Sequence, residues 1–277
     1  MSDFQFDQET TASPASKRDG SAQRAQMHQF EGHLSSQWNI GDNPNGGYLL
    51  AIALRALLDA VPHPDPLSVT TQYLRPGLGG VAFELEIEVL RTGRSVSNAR
   101  ATLLQEGKPR VLVSAVCGDL STGTGLPQTW SIPAPVIPAP DECVQRSAAG
   151  QGVELPILGR LDTRLEPSCA VPGSSEHAEL NGWIRFKDGR NPDTTALPMF
   201  CDAFPPSPFA VLGTIGWVPT LELTVHVRQR PASGWIQGQF VNQDLSGGRM
   251  IESGCLWDSQ GNLVAQSRQL GLVTPRD

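Results

Sequence analysis

The chain repeats itself. A shift of 155 positions places Arg75-Pro76 on Arg230-Pro231 and Gly93-Arg94 on Gly248-Arg249, and it carries Gly47 onto Asp202. The same order of elements recurs around these fixed points, so the chain must fold as two copies of one unit. In the first copy, Tyr48 to Leu58 is apolar on nearly every face except at Arg55 and Asp59. That pattern predicts a helix of about four turns, wrapped by other elements and stopped by Pro62, Pro64 and Pro66. Strands follow at Val69–Leu74, Val81–Val89, Ser95–Gln105 and Val111–Cys117. The second of them alternates, with Val81, Phe83, Leu85, Ile87 and Val89 facing in and Glu84, Glu86 and Glu88 facing out. The second copy shows strands at Leu221–Arg228, Trp235–Asn242, Met250–Trp257 and Leu263–Val273. Two helix-and-antiparallel-sheet units make an α+β fold.

Between the copies, Pro127, Pro133, Pro135, Pro138 and Pro140 crowd one short span without periodicity. The expected organisation is a flexible N-terminal tail over 1–25, a first unit over 26–120, a proline-rich linker without its own core over 121–178, and a second unit over 179–277. Val153–Ile157 and Trp183–Phe186 carry no assignable pattern.

The formal charge of -7 argues against nucleic acid or an anionic membrane surface as partner. The longest apolar run is broken by Arg55 and is too short to span a bilayer. Five cysteines, odd in number and without a CxxC pair, fit a reducing, cytoplasmic compartment. No cluster has metal-ligand spacing, so no metal is expected.

The stretch Leu197–Arg228 holds the strongest chemical candidates. Asp202 stands just before an apolar segment crowded by prolines, and after a turn at Gly213–Gly216 a strand opens on Thr220. A carboxylate and a hydroxyl brought together by that turn could activate and orient a nucleophile. Equally, Asp before a helix is a common cap and Thr is common in strands. The Asn45-Gly46-Gly47-Tyr48 turn opens the first helix with N–H groups suited to a developing oxyanion, or simply permits a tight turn. If the two helices run antiparallel, the Gly47 and Asp202 ends would share one site. Glu222 and His226 are read on the Thr220 face, with Glu222 as the fallback base. Cys201 has no neighbouring His in sequence and reads as a structural thiol. Arg91, Arg94, Arg228, Arg230 and Arg249 lie near strand ends and suit phosphate groups, as solvated charges also would.

Several stretches together, NGGYLLAIALRAL, LSVTTQYLRP, RTGRSVSNARATLLQEGK, PAPDECV, ALPMFCDAFPPSPF, GWVPTLELTVHVR and LWDSQGNLVAQSRQLGLV, resemble the acyl-CoA thioesterase II-like family. They span about residues 35–273. The resemblance implies a double hotdog fold and an acyl-CoA substrate; no cofactor is expected, and exposed sheet faces point to association into a homo-oligomer. The resemblance also implies an Asp-Thr-Gln set that holds the hydrolytic water, and these positions fall on Asp202, Thr220 and Gln269. Gln269 enters only in this way, although an amide in an otherwise apolar strand does need a partner. Glu222 and Leu223 stand where the best-known bacterial members carry an Asp-His pair, which leaves acyl-chain preference open. A non-catalytic acyl- or lipid-binding protein is the alternative on the same fold. A hotdog hydratase is disfavoured because neither helix start carries a His.

Overall fold

The computed structural model describes residues 2–15, 27–122, 130–214 and 218–273. The first half contains β1 (Met27–His33), α1 (Gly46–Asp59), β2 (Asp65–Tyr73), β3 (Ala82–Thr92), β4 (Ser97–Gln105) and β5 (Lys108–Gly118). The second half contains β6 (Glu179–Phe186), α2 (Ala196–Ala203), α3 (Phe209–Leu212), β7 (Thr220–Val227), β8 (Ile236–Ser246), β9 (Arg249–Trp257) and β10 (Leu263–Leu272). These ten strands lie in one antiparallel sheet in the order β1-β3-β4-β5-β2-β7-β10-β9-β8-β6. Read from either end, the order is that of one half and then of its copy reversed. The double hotdog expected from the sequence is therefore present as two pseudo-equivalent halves of a continuous sheet.

The halves join where β2 pairs with β7, from Gln72 opposite Glu222 to Ser68 opposite His226. At this seam the hydroxyls of Thr70 and Thr224 lie 3.0 Å apart. Helix α1 packs into the first half with Leu50, Ile52, Leu54 and Leu57 wholly buried. Each such side chain contributes on the order of 1.5–3 kcal/mol as an upper estimate. The start of α1 also lies against α2, and the approach needs glycine. A Cβ on Gly47 would sit 2.8 Å from the Met199 carbonyl oxygen and 2.9 Å from its Cα.

The second helix departs from expectation. Asp202 does not precede an apolar helix; it lies in the last turn of α2. The Asp193 carboxylate accepts from the N–H groups of Thr195 and Ala196 and so anchors the helix start. Pro205, Pro206 and Pro208 then forbid continuation, and Phe204, preceding a proline, is extended at φ -76°, ψ 158°. Only the single turn of α3 follows. Residues 215–217, which include the second half of the Gly213–Gly216 turn, lie outside the described residues.

Two segments expected to lack packing have it. In the N-terminal segment, helix Gln5–Glu9 places Phe6, wholly buried, 4.8 Å from the Phe186 ring and 5.9 Å from that of Trp38. Glu9 receives both Arg160 donors at 2.7 Å and the Trp38 indole at 2.8 Å. Residues 16–26 lie outside the described residues, so the rest of the expected tail is not among them. Within the expected linker, Val144–Gln145 and Leu161–Leu165 add two strands beyond β6 at the sheet edge, and Leu155, Ile157 and Leu161 are buried. Its proline-rich part forms a strap held by side chains from the strands beneath. The Trp183, Gln237 and Trp257 side chains donate to the carbonyls of Pro138, Pro135 and Ile132. Strands this short show no period in sequence.

Candidate active site

Antiparallel pairing should put Thr220, Glu222, Thr224 and His226 on one face of β7. A bulge prevents it. Thr220 pairs with Gly271 but Glu222 with Leu270, so one extra residue lies between them and Thr220 turns to the inner face. There it joins Leu223 and Val225, both wholly buried, while Glu222 and His226 point outward and are exposed. Glu222 and His226 thus leave the candidate set.

The inner face brings Thr220 to Asp202. The Thr220 hydroxyl donates to Asp202 Oδ1 at 3.2 Å, and the Gln269 amide donates to that hydroxyl at 2.6 Å. Gln269 sits on β10 opposite Leu223 on one side and Glu252 on the other, which points its side chain inward. The other carboxylate oxygen, Asp202 Oδ2, accepts from Gly47 N–H at 2.7 Å and from Asn45 Nδ2 at 2.9 Å. Asn45 is also the N-cap of α1, accepting from Tyr48 N–H. Three residues read from the sequence, Asn45, Gly47 and Asp202, are therefore locked together. The Gly47 N–H is engaged by the acid rather than left free for an oxyanion.

Burial drives the Asp202 pKa up from its ordinary 3.8 to about 6. The Gly47, Thr220 and Asn45 donors, and the charge of Arg146, oppose that rise. A carboxyl balanced in this way is ionised at neutral pH yet basic enough to take a proton.

A cavity of about 250 Å³ opens on these groups. Leu49, Leu74, Phe204, Val218 and Leu272 give it apolar walls, and Asn45, Gly46, Asp202, Thr220 and Gln269 a polar floor. Tyr48 does not line it: its ring stacks on Trp38 at 5.3 Å and its hydroxyl donates to the Glu9 carbonyl. Arg94 does not line it either; that side chain is exposed and its carbonyl lies by His63. Arg75 and Arg146 are the arginines of the cavity wall. The Cys201 thiol is pushed up to about 12 by burial, as suits a structural cysteine.

Three wall residues escaped the sequence reading. Glu252 is 4 % exposed, accepts from the Ser207 N–H at 2.7 Å and from the Ser207 hydroxyl, and is raised by burial to about 7. The charge of Asp202 adds to that rise. Alternation along β9 could have found it, since Met250, Gly254 and Leu256 share its inward face. Arg146, lowered to about 9 by burial, donates to the Ala203 carbonyl and to Gln151. It lies in the proline-rich region, where no pattern marks it. Tyr73 ends β2 with its hydroxyl buried and, among the described residues, without a hydrogen-bond partner. Among the described residues no group of His, Cys, Asp and Glu is placed to hold a metal ion. No helix among them is long and apolar enough to cross a membrane.

Comparison with known proteins matches residues 34–118 to the acyl-CoA thioesterase N-terminal domain and residues 140–273 to the acyl-CoA thioesterase C-terminal domain. An uncharacterised protein of Mycobacterium tuberculosis is 27% identical over 270 residues, covering 88% of this chain and 90% of its own. A crystal structure from Thermobifida fusca, whose assignment as a thioesterase II is provisional, has 27% identity and a TM-score of 0.84, with 98% of each chain covered. A hot dog fold protein of unknown function from Alicyclobacillus acidocaldarius shares the fold at 24% identity and a TM-score of 0.79, again over 98% of each chain. The two domain matches together span most of the sequence, and the chain accordingly belongs to the acyl-CoA thioesterase family and is an acyl-CoA thioester hydrolase.

Proposed function

We propose that this protein hydrolyses an acyl-CoA thioester with a water activated by Asp202 and oriented by Thr220 and Gln269. The supporting observation is the chain of contacts from Gln269 through Thr220 to Asp202 Oδ1 at the floor of an apolar-walled cavity. With Oδ2 held by Gly47 and Asn45, Oδ1 is the oxygen that takes the water proton. The water oxygen bonds to the thioester carbon, and the tetrahedral intermediate then expels the CoA thiolate as the C–S bond breaks. The proton held by Asp202 passes to the departing sulfur, leaving a free carboxylic acid and CoA. The apolar walls receive the acyl chain.

We place the enzyme in a reducing, cytoplasmic setting, which suits its five free cysteines. Homo-oligomerisation through exposed sheet surface belongs to the same proposal, and sedimentation velocity measures it.

The test is thiol release from a panel of acyl-CoAs of rising chain length, with Asp202→Ala beside the parent. The expected outcome is release by the parent and a loss of at least about 100-fold in kcat for the variant. No release from any substrate would favour the acyl-binding alternative. Full activity in Asp202→Ala would move the base to Glu252, the other carboxylate of the cavity.

A further inference from the structure

The thioester reading leaves one requirement unmet. Attack on the carbonyl carbon puts negative charge on the carbonyl oxygen, and that charge needs a donor. The obvious donors are already engaged: Gly47 N–H and Asn45 Nδ2 bind Asp202 Oδ2, the Thr220 hydroxyl binds Oδ1, and the Gln269 amide binds Thr220.

Tyr73 offers what is missing. Its side chain lines the cavity, and its hydroxyl is buried without a partner among the described residues. A buried hydroxyl left in that state has lost its water without replacement, and a ligand oxygen would satisfy it. Its place is also right. The position a Cβ would take on Gly46 is 2.9 Å from Tyr73 Cζ and 3.0 Å from Asp202 Oδ2. The phenol and the carboxylate thus both lie against Gly46 in the wall of one cavity, with no side chain between them at that residue. Burial, with the nearby charge of Asp202, holds the phenol well above its ordinary pKa of 10, so it stays protonated and able to donate.

We propose that the Tyr73 hydroxyl donates to the thioester carbonyl oxygen and to the oxyanion formed from it, making Tyr73 a catalytic residue. This rests on the thioesterase reading above. Tyr73→Phe removes one oxygen and leaves the ring against Gly46, so the fold is retained. Loss of this donor lowers kcat/KM by about 100-fold or more, as it removes a contact to the carbonyl that strengthens in the transition state.

Two non-hydrolysable probes separate the carbonyl contact from turnover. One is an acyl-CoA ketone in which CH₂ replaces the thioester sulfur, and the other is an S-alkyl-CoA thioether that lacks the carbonyl. Calorimetry on the parent and on Tyr73→Phe is expected to show about a 10-fold or greater weakening for the ketone and no change for the thioether. Equal effects on both probes, or none on either, overturn the proposal even if the parent hydrolyses acyl-CoA. If the parent hydrolyses no acyl-CoA but the ketone loss is selective, the carbonyl contact stands and the hydrolytic reading fails.

Discussion

Asp202 accepts a 2.7 Å hydrogen bond from the backbone N–H of Gly47, the residue that occupies its own position in the other repeat. The pseudo-twofold brings the two equivalent positions into contact, one as donor and one as acid. Asymmetry at this point is what makes the site single. A carboxylate at both positions would place like charges face to face, whereas glycine supplies an N–H at the positive end of α1.

The acid limb of the pH–rate profile reports this arrangement. In the proposed mechanism Asp202 must be ionised to act as base, so kcat/KM is expected to fall as pH drops through about 6. Arg146 favours the ionised form, so Arg146→Met removes a cation and moves the limb above 6. A limb that stays in place in the variant would show that Arg146 does not act on the carboxylate.

Glu252 links pH to stability. Its folded-state pKa of about 7 lies above the ordinary 4.5, so between those values the folded protein keeps a proton that the unfolded chain has released. Stability therefore falls as pH rises through this window, by at most about 3 kcal/mol at full ionisation. Glu252→Gln, which cannot ionise, loses that dependence. Thermal unfolding at about pH 5 and about pH 8 is expected to show a smaller drop in Tm for the variant. An unchanged drop would place the pH sensitivity elsewhere.

Gly47→Ala tests the helix contact. The new methyl would sit 2.8–2.9 Å from Met199 backbone and 3.0 Å from Asp202 Cβ, and backbone gives way less readily than a side-chain tip. The expected cost is about 1–3 kcal/mol of stability together with a marked loss of kcat, as α2 shifts and Asp202 leaves its donors. Chemical denaturation and steady-state kinetics on the same preparation read both. Unaltered stability would mean that the helices are not pressed together at Gly47.

The repeat was legible because turn residues mark it: Arg-Pro and Gly-Arg dipeptides recur where strands end. Sheet composition followed from alternation, clearest in Phe83, Leu85, Ile87 and Val89. Faces were less secure. The bulge between Thr220 and Glu222 inserts one residue, and one residue reverses which side chains point inward. Hence the pattern put Glu222 and His226 beside Thr220, where the fold does not. Asp202 showed the other weakness. Prolines mark a helix boundary there, yet they do not say on which side the helix lies. Phe6 and Arg146 are single residues in stretches without period, and their burial depends on partners far away in sequence, Phe186 and Ala203 among them.

One position in the first half shows what fusing the two units has allowed. The shift that equates Gly47 with Asp202 equates Asp65 with Thr220, and Asp65 is buried in an ion pair with Arg230 at 2.7 Å, capped by Thr194. In two separate copies of a single unit, every substitution would be made at both places at once, and chemistry and cohesion would compete for the same residues. A single chain carries the two places as separate letters. One has been given over to a clamp between the halves while its counterpart keeps a hydroxyl beside the acid, and later substitutions can refine either one without disturbing the other.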